Sequence, residues 1–169
     1  MARQQPHPAA LDEAALLALC QVRRQKRSGP GGQHRNKVET AIVICHQPSG
    51  IKGEAAERRS QEQNYRMALR RLRTKLAVHV RLPLPLEPSA CWKARTSGGR
   101  LVLSKDHEDF PALLAEAIDT VNAHDYDVKA GAQWLGVTVT QLTRLLKCAS
   151  PAIQLVNDHR RVRGLRPLK

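Results

Sequence analysis

The sequence predicts an α+β fold, in which a short sheet packed by one helix is followed by a helical, helix-turn-helix-like domain. Three observations carry this expectation. Residues 40–46, Thr-Ala-Ile-Val-Ile-Cys-His, are rich in β-branched side chains and run into the turn Gln47-Pro48-Ser49-Gly50. Ser60-Gln61-Glu62-Gln63 has the S-x-x-Q form of a capping box and opens a helix with a regular apolar stripe. From Phe110 onward the apolar spacing is helical almost without interruption.

Taken in order, residues 11–17 read as a short helix, with Asp12 and Glu13 in the first turn and leucines at helical spacing. Residues 21–27 form an extended, basic lead-in to a glycine-rich loop. Residues 34–39 are expected to make a helical turn, residues 40–46 a strand and residues 47–50 a hairpin turn. The return segment, 51–57, is less strand-like, because Gly53, Ala55 and Ala56 have weak β preference. In the helix that follows, Tyr65, Ala68, Leu69, Leu72 and Leu76 fall on one face, which should cover the sheet. Arg66, Arg70, Arg71, Arg73 and Lys75 occupy the remaining arc, as a solvated basic face or as contacts to RNA backbone.

Residues 80–107 read as a connector, held extended at first by Pro83, Pro85 and Pro88 and loosened by Ser97-Gly98-Gly99. Lys93, Arg95, Arg100 and Lys105 suit a solvated linker or RNA equally. Helices are expected at 111–122, 128–135, 140–147 and 151–163. Ala132, Gly136 and Leu142 fall at offsets 0, +4 and +10, a helix-turn-helix spacing in which small residues permit close crossing and glycine makes the turn. The second helix would expose Thr138, Thr140, Gln141, Thr143, Arg144 and Lys147. Such a motif reads DNA in some proteins and merely packs in others; here an anchoring or structural role is favoured. The expected domains are 1–82 and 108–169, joined by 83–107.

The residues with most to say about function are Ser28-Gly29-Pro30-Gly31-Gly32-Gln33-His34-Arg35-Asn36-Lys37. Glycine lacks Cβ and lets a backbone approach another molecule closely, so Gly31 and Gly32 free the chain just before Gln33. Gln33 presents a carboxamide with donors and an acceptor, plus a backbone N–H, and nothing that titrates near neutrality. It can orient a water or stabilise an oxyanion. An ordinary Gly/Pro turn is the plain alternative.

This loop, with Arg27, Glu39-Thr40-Ala41, His46-Gln47-Pro48-Ser49-Gly50-Ile51 and Glu57-Arg58-Arg59-Ser60-Gln61, resembles the catalytic domain of bacterial class I peptide chain release factors over residues 11–79. The resemblance implies the return strand at 51–57. It implies hydrolysis of the ester joining a nascent peptide to tRNA, inside the ribosomal peptidyl-transferase centre, with Gly31, Gly32 and Gln33 as the catalytic residues. Arg27, Ser28, Arg35, Asn36 and Lys37 become loop anchors and RNA contacts, joined by Arg58, Arg59, Arg66, Arg70 and Arg73. His34 takes no acid–base role. The implied partners are the ribosome, through its RNA and peptidyl-tRNA, and a glutamine methyltransferase acting on Gln33. Neither a Pro-x-Thr nor a Ser-Pro-Phe stop-codon tripeptide is present, Ser150-Pro151-Ala152 being only an echo. Codon-independent release, as in stand-alone rescue factors, is therefore expected, although the basic end from Arg160 to Lys169 is short. The alternative is a non-hydrolytic RNA- or DNA-binding regulator.

Composition agrees with an RNA partner: 28 Lys and Arg against 15 Asp and Glu leave a net charge of +13 over 169 residues. Only 3% of residues are aromatic, which disfavours a base-stacking sheet. No stretch approaches the ~20 apolar residues of a membrane helix, and the N-terminus lacks a signal pattern, so a cytoplasmic monomer is expected. Cys20, Cys45, Cys91 and Cys148 lie far apart without metal-ligand spacing, which predicts buried free thiols, no metal and no cofactor.

Overall fold

The computed structural model describes residues 6–25 and 40–169. They form two compact units, Leu11–Leu76 and Ala77–Lys169, the latter with residues 6–10. In the first unit, α1 (Glu13–Ala18) is capped by Asp12, whose carboxylate accepts the Ala15 N–H at 2.8 Å. Strands β1 (Cys20–Gln25), β2 (Ala41–His46) and β3 (Lys52–Ala55) make an antiparallel sheet in that order. The expected basic lead-in is thus the edge strand, paired along its length from Cys20 opposite His46 to Gln25 opposite Ala41.

Along β2, Ile42, Ile44 and His46 point to the buried face, and β3 sets Ala55 and Gly53 opposite the two isoleucines. Helix α2 (Gln61–His79) lies against β3 there, burying Ala68, Leu69, Leu72 and Leu76. Ser60 caps it through the Gln63 N–H at 3.3 Å. Tyr65 sits at the edge of the stripe, half-buried, donating to Glu13 at 2.9 Å; burial and this neighbour push its pKa up to about 12.

The weak β preference of the return strand has a packing cause. A Cβ on Gly53 would stand 2.1 Å from the Ala68 carbonyl oxygen and 2.6 Å from the Leu72 nitrogen, so only glycine lets the strand come this close to α2. Gly53→Ala is expected to destabilise the protein by ~2–3 kcal/mol through forced separation of strand and helix. Equilibrium urea unfolding checks this, and a loss under ~0.5 kcal/mol would show that the helix simply gives way.

The second unit holds α3 (Ala90–Arg95), a two-residue-per-strand hairpin of β4 (Thr96–Ser97) and β5 (Arg100–Leu101), and α4 (Phe110–Ala123), α5 (Val128–Trp134), α6 (Val139–Lys147) and α7 (Ser150–Val162). Residues 83–107, expected to be a plain connector, therefore carry a capped helix and a hairpin. Trp92 is their anchor: 1% exposed, it donates its indole N–H to the Leu135 carbonyl at 2.8 Å.

The expected helix-turn-helix order is present, although Gln141 and Thr143, expected to be exposed on the second helix, are half-buried. Gly136 turns the chain between α5 and α6 at φ +66°, a conformation rather than a close contact being what requires glycine. Thr138 caps α6 through the Gln141 N–H at 3.2 Å. Ala132 and Leu142 are buried, and Gly131 brings α5 close to Val121 of α4. At the chain's end, the Asn157 amide pairs with both backbone groups of Leu168, at 2.7 and 3.2 Å, folding the basic end back onto α7.

Below the helices, Arg81 donates to the Asp119 carboxylate at 2.6 Å, and Asp119 also accepts the Leu82 N–H at 3.3 Å. Burial outweighs pairing on both sides: it lifts Asp119 to about 6 and lowers Arg81. Asp119→Ala is expected to cost ~3 kcal/mol by stranding the arginine, whereas Arg81→Met with Asp119→Leu should recover most of that loss. Thermal unfolding of the two variants checks this; equal losses in the single and double variants would mean that the pair is net stabilising.

Candidate functional site

Because Gln25 and Ala41 are paired neighbours, the segment between them leaves and re-enters the sheet at adjacent points. Gly31, Gly32 and Gln33, their neighbours Arg27, Ser28, Arg35, Asn36 and Lys37, and the expected helical turn at 34–39 lie outside the described residues. The platform from which the loop springs is described.

Its centre is Asn64, 0% exposed in the first turn of α2. Its Nδ2 donates to the Thr40 carbonyl at 2.7 Å and to the Arg58 carbonyl at 2.9 Å, while its Oδ1 accepts the Arg58 N–H at 2.9 Å. One amide thus ties the residue at which the loop rejoins β2 to the segment entering α2. An ionised carboxylate there offers no donor to the two carbonyls, and an apolar residue leaves all three backbone groups without it. Asn64 was not among the residues singled out by spacing or motif. The available signal was an amide four residues before Ala68, on the apolar face of the helix.

The predicted RNA-contacting cations divide into two kinds. Arg58 and Arg59 are exposed beside the Asn64 clasp. Arg66 is exposed and paired with Glu62 one turn earlier; at this exposure such a pair holds the side chain weakly. Arg70 is exposed and Arg73 half-buried, and with Met67, Arg71, Thr74 and Lys75, Arg70 lines a shallow groove of about 370 Å³. Arg71 and Lys75, assigned to the same arc, instead brace the sheet. Arg71 donates to the Glu54 carbonyl at 2.7 Å and meets the Glu57 carboxylate at 2.6 Å, holding that carboxyl below its ordinary pKa. Lys75 donates to the Lys52 carbonyl at 2.8 Å.

Edge strand β1 adds Arg23 and Arg24, both exposed, leading directly into the loop; Arg23 is held flat along the strand by Gln21 at 2.9 and 3.1 Å. These two were also missed, since a basic extended segment has no fixed geometry until its pairing partner is known. The cationic surface around the loop base is thus larger than sequence spacing indicated.

Among the described residues no group of His, Cys, Asp and Glu is arranged to hold a metal ion. All four cysteines are free, as expected, but burial is incomplete: Cys20, Cys45 and Cys91 are half-buried and Cys148 is exposed. No helix of the described residues is long and apolar enough to cross a membrane.

The sequence has counterparts among known proteins. The family described as RF-1 domain matches residues 19–96, beyond the edge of the first unit at Leu76. Peptide chain release factor 1 of Erythrobacter litoralis is 39% identical over 74 residues, covering 44% of this chain and 21% of that protein. Peptide chain release factor 1 of Symbiobacterium thermophilum is 46% identical over 75 residues, with the same coverage. Peptide chain release factor 2 of Haemophilus ducreyi is 49% identical over 51 residues, covering 30% of this chain and 14% of that protein. The chain thus spans about a fifth or less of the length of these curated relatives. No solved structure matches.

Proposed function

On the premise that residues 19–96 are an RF-1 domain of the release-factor type, we propose that the protein hydrolyses peptidyl-tRNA on the ribosome without reading a codon, freeing peptides from stalled complexes. The observation that supports this reading is that the stretch of sequence containing Gly31-Gly32-Gln33 joins the paired ends of β1 and β2, where Asn64 clasps Thr40 and exposed arginines flank the sheet.

The chemistry asks little of the protein. Water adds to the ester carbonyl, the tetrahedral intermediate expels the terminal ribose oxygen of the tRNA, and a proton taken from water balances the leaving hydroxyl. Gln33 would bind the developing oxyanion through its backbone N–H, while its side chain excludes nucleophiles larger than water. Such preorganised donors act without titrating. Ribosomal RNA and the substrate would supply the rest of the site, so the isolated protein should be a poor catalyst. Arg23, Arg24, Arg58, Arg59, Arg66, Arg70 and Arg73, with the loop cations, would hold phosphates; these contacts position the protein without reading sequence. Gln33 would also be the acceptor for a glutamine methyltransferase. The working unit would be a cytoplasmic monomer.

The decisive assay is release of labelled peptide from ribosomes with an empty A-site, with and without a stop codon. Release by the wild-type protein, equal in both, is the expected result. Dependence on the stop codon would overturn the rescue reading. The second reading, a non-hydrolytic regulator, is favoured by the exposed Thr140, Arg144 and Lys147 on α6. Ribosome binding with no release would decide for it.

A further inference from the structure

The hairpin of β4 and β5 does more than fill a connection. Its tip approaches the turn of the helix-turn-helix, a Cβ on Gly99 falling 4.0 Å from the Gly136 carbonyl oxygen. Its base is tied by the Val102 N–H, which donates to the Arg95 carbonyl at 2.9 Å, and α3 is pinned to the same turn through Trp92. Hairpin and α6 then enclose a cleft of about 690 Å³, within the ~300–1,000 Å³ range of small-ligand sites. Gln141, Arg144 and Leu145 of α6, with Cys148 at its C-cap, line it from one helical face.

The lining is cationic and contains no carboxylate. Arg95 forms a fixed wall, bound to Asp109 at 2.8 Å and standing 2.9 Å from His107 Nε2. Arg100 and Arg144 differ from it: both are exposed, and neither guanidinium has a hydrogen-bond or ion-pair partner among the described residues. Leu101, Leu103 and Leu145 line the same cleft, with Val102 left 70% exposed. Free guanidiniums beside an apolar floor match a phosphate joined to a base.

We propose that this cleft is a second RNA-binding site, taking one unpaired nucleotide of a single strand, with Arg100 and Arg144 on its phosphate and the leucines beneath its base. Duplex DNA fits less well. A reading helix must stand clear to enter a major groove ~12 Å wide, and here the hairpin stands across the cleft from the Gln141 and Arg144 side of α6. The site is independent of whether the loop hydrolyses peptidyl-tRNA.

The test is binding of a fluorescent single-stranded RNA nonamer to the full chain, measured by anisotropy over a range of salt. Wild type is compared with Arg100→Gln/Arg144→Gln and with Gln141→Glu, which puts a carboxylate into the cleft. The first unit's cations are the same in all three proteins, so the differences read the cleft alone. The double variant is expected to bind about tenfold more weakly, and the slope of log K against log salt should become shallower by ~0.7 for each phosphate that is no longer neutralised. Gln141→Glu should weaken binding in the same direction while the melting temperatures stay near wild type. Affinities within twofold of wild type in both folded variants would overturn the proposal. Tighter wild-type binding to duplex DNA of the same sequence, lost with the same arginines, would overturn the RNA assignment. Displacement of the nonamer by AMP at micromolar concentration would do so as well, making this a free-nucleotide site.

Discussion

Gly32→Ala is expected to lower peptide release by ~10²–10³ while leaving ribosome binding and stability close to wild type. The magnitude is that of removing one oxyanion donor, since the backbone N–H of Gln33 lies one peptide bond away. An added Cβ at Gly32 restricts the dihedral angles that aim that N–H, and occupies space where glycine alone permits close approach to the substrate. The surroundings argue for a local effect. Strands β1 and β2 are fixed by their own pairing up to Gln25 and Ala41, and the core under α2 is filled by Ile42, Ile44, Ala68, Leu72 and Leu76. A substitution that leaves such pairing and packing untouched usually moves stability by no more than ~0.5 kcal/mol. Single-turnover release from empty-A-site ribosomes, with occupancy checked by co-sedimentation, separates the two effects. Release by Gly32→Ala within threefold of wild type would remove the loop from the chemistry.

The parts of this protein that a sequence can announce are those whose signal is local. The Ser60 cap and the apolar stripe declare α2 within a few turns of chain, and Gly136 declares the bend between α5 and α6 because its φ is positive. The glycine-rich loop was equally legible as a motif. What stayed hidden depends on partners far away in the chain. Gly53 read as a poor strand residue because its reason is the α2 backbone lying against it. Residues 83–107 read as a linker because one tryptophan, Trp92, holds α3 and its hairpin to a carbonyl 43 positions on. Arg71 and Lys75 looked like the other cations of their helix until the carbonyls of β3 showed what they bind. In each case identity was visible and distance was not.

Asn64 is the sharpest instance, and its replacement is the second change with a large expected effect. Asn64→Ala removes three hydrogen bonds and leaves the Thr40 carbonyl and both backbone groups of Arg58 without this partner in a partly buried setting. With ~1–3 kcal/mol for each group left unsatisfied, and some relief from entering water, the net loss is ~3 kcal/mol. A domain of ordinary stability, ~5–15 kcal/mol, remains folded at 25 °C after such a loss, so release can still be measured on native protein. Release should nevertheless fall by ~10², because Thr40 is where the loop is fastened, and a misplacement of ~1 Å in a reacting group costs about that much. Asn64→Asp should do no better despite its matching size: its carboxylate still accepts the Arg58 N–H but turns a negative charge toward two carbonyl oxygens. The two readouts, urea unfolding and single-turnover release at saturating ribosomes, distinguish a platform from a mere core residue. If both variants lose stability yet release peptide at the wild-type rate, Asn64 supports the fold and the loop is positioned by the ribosome instead.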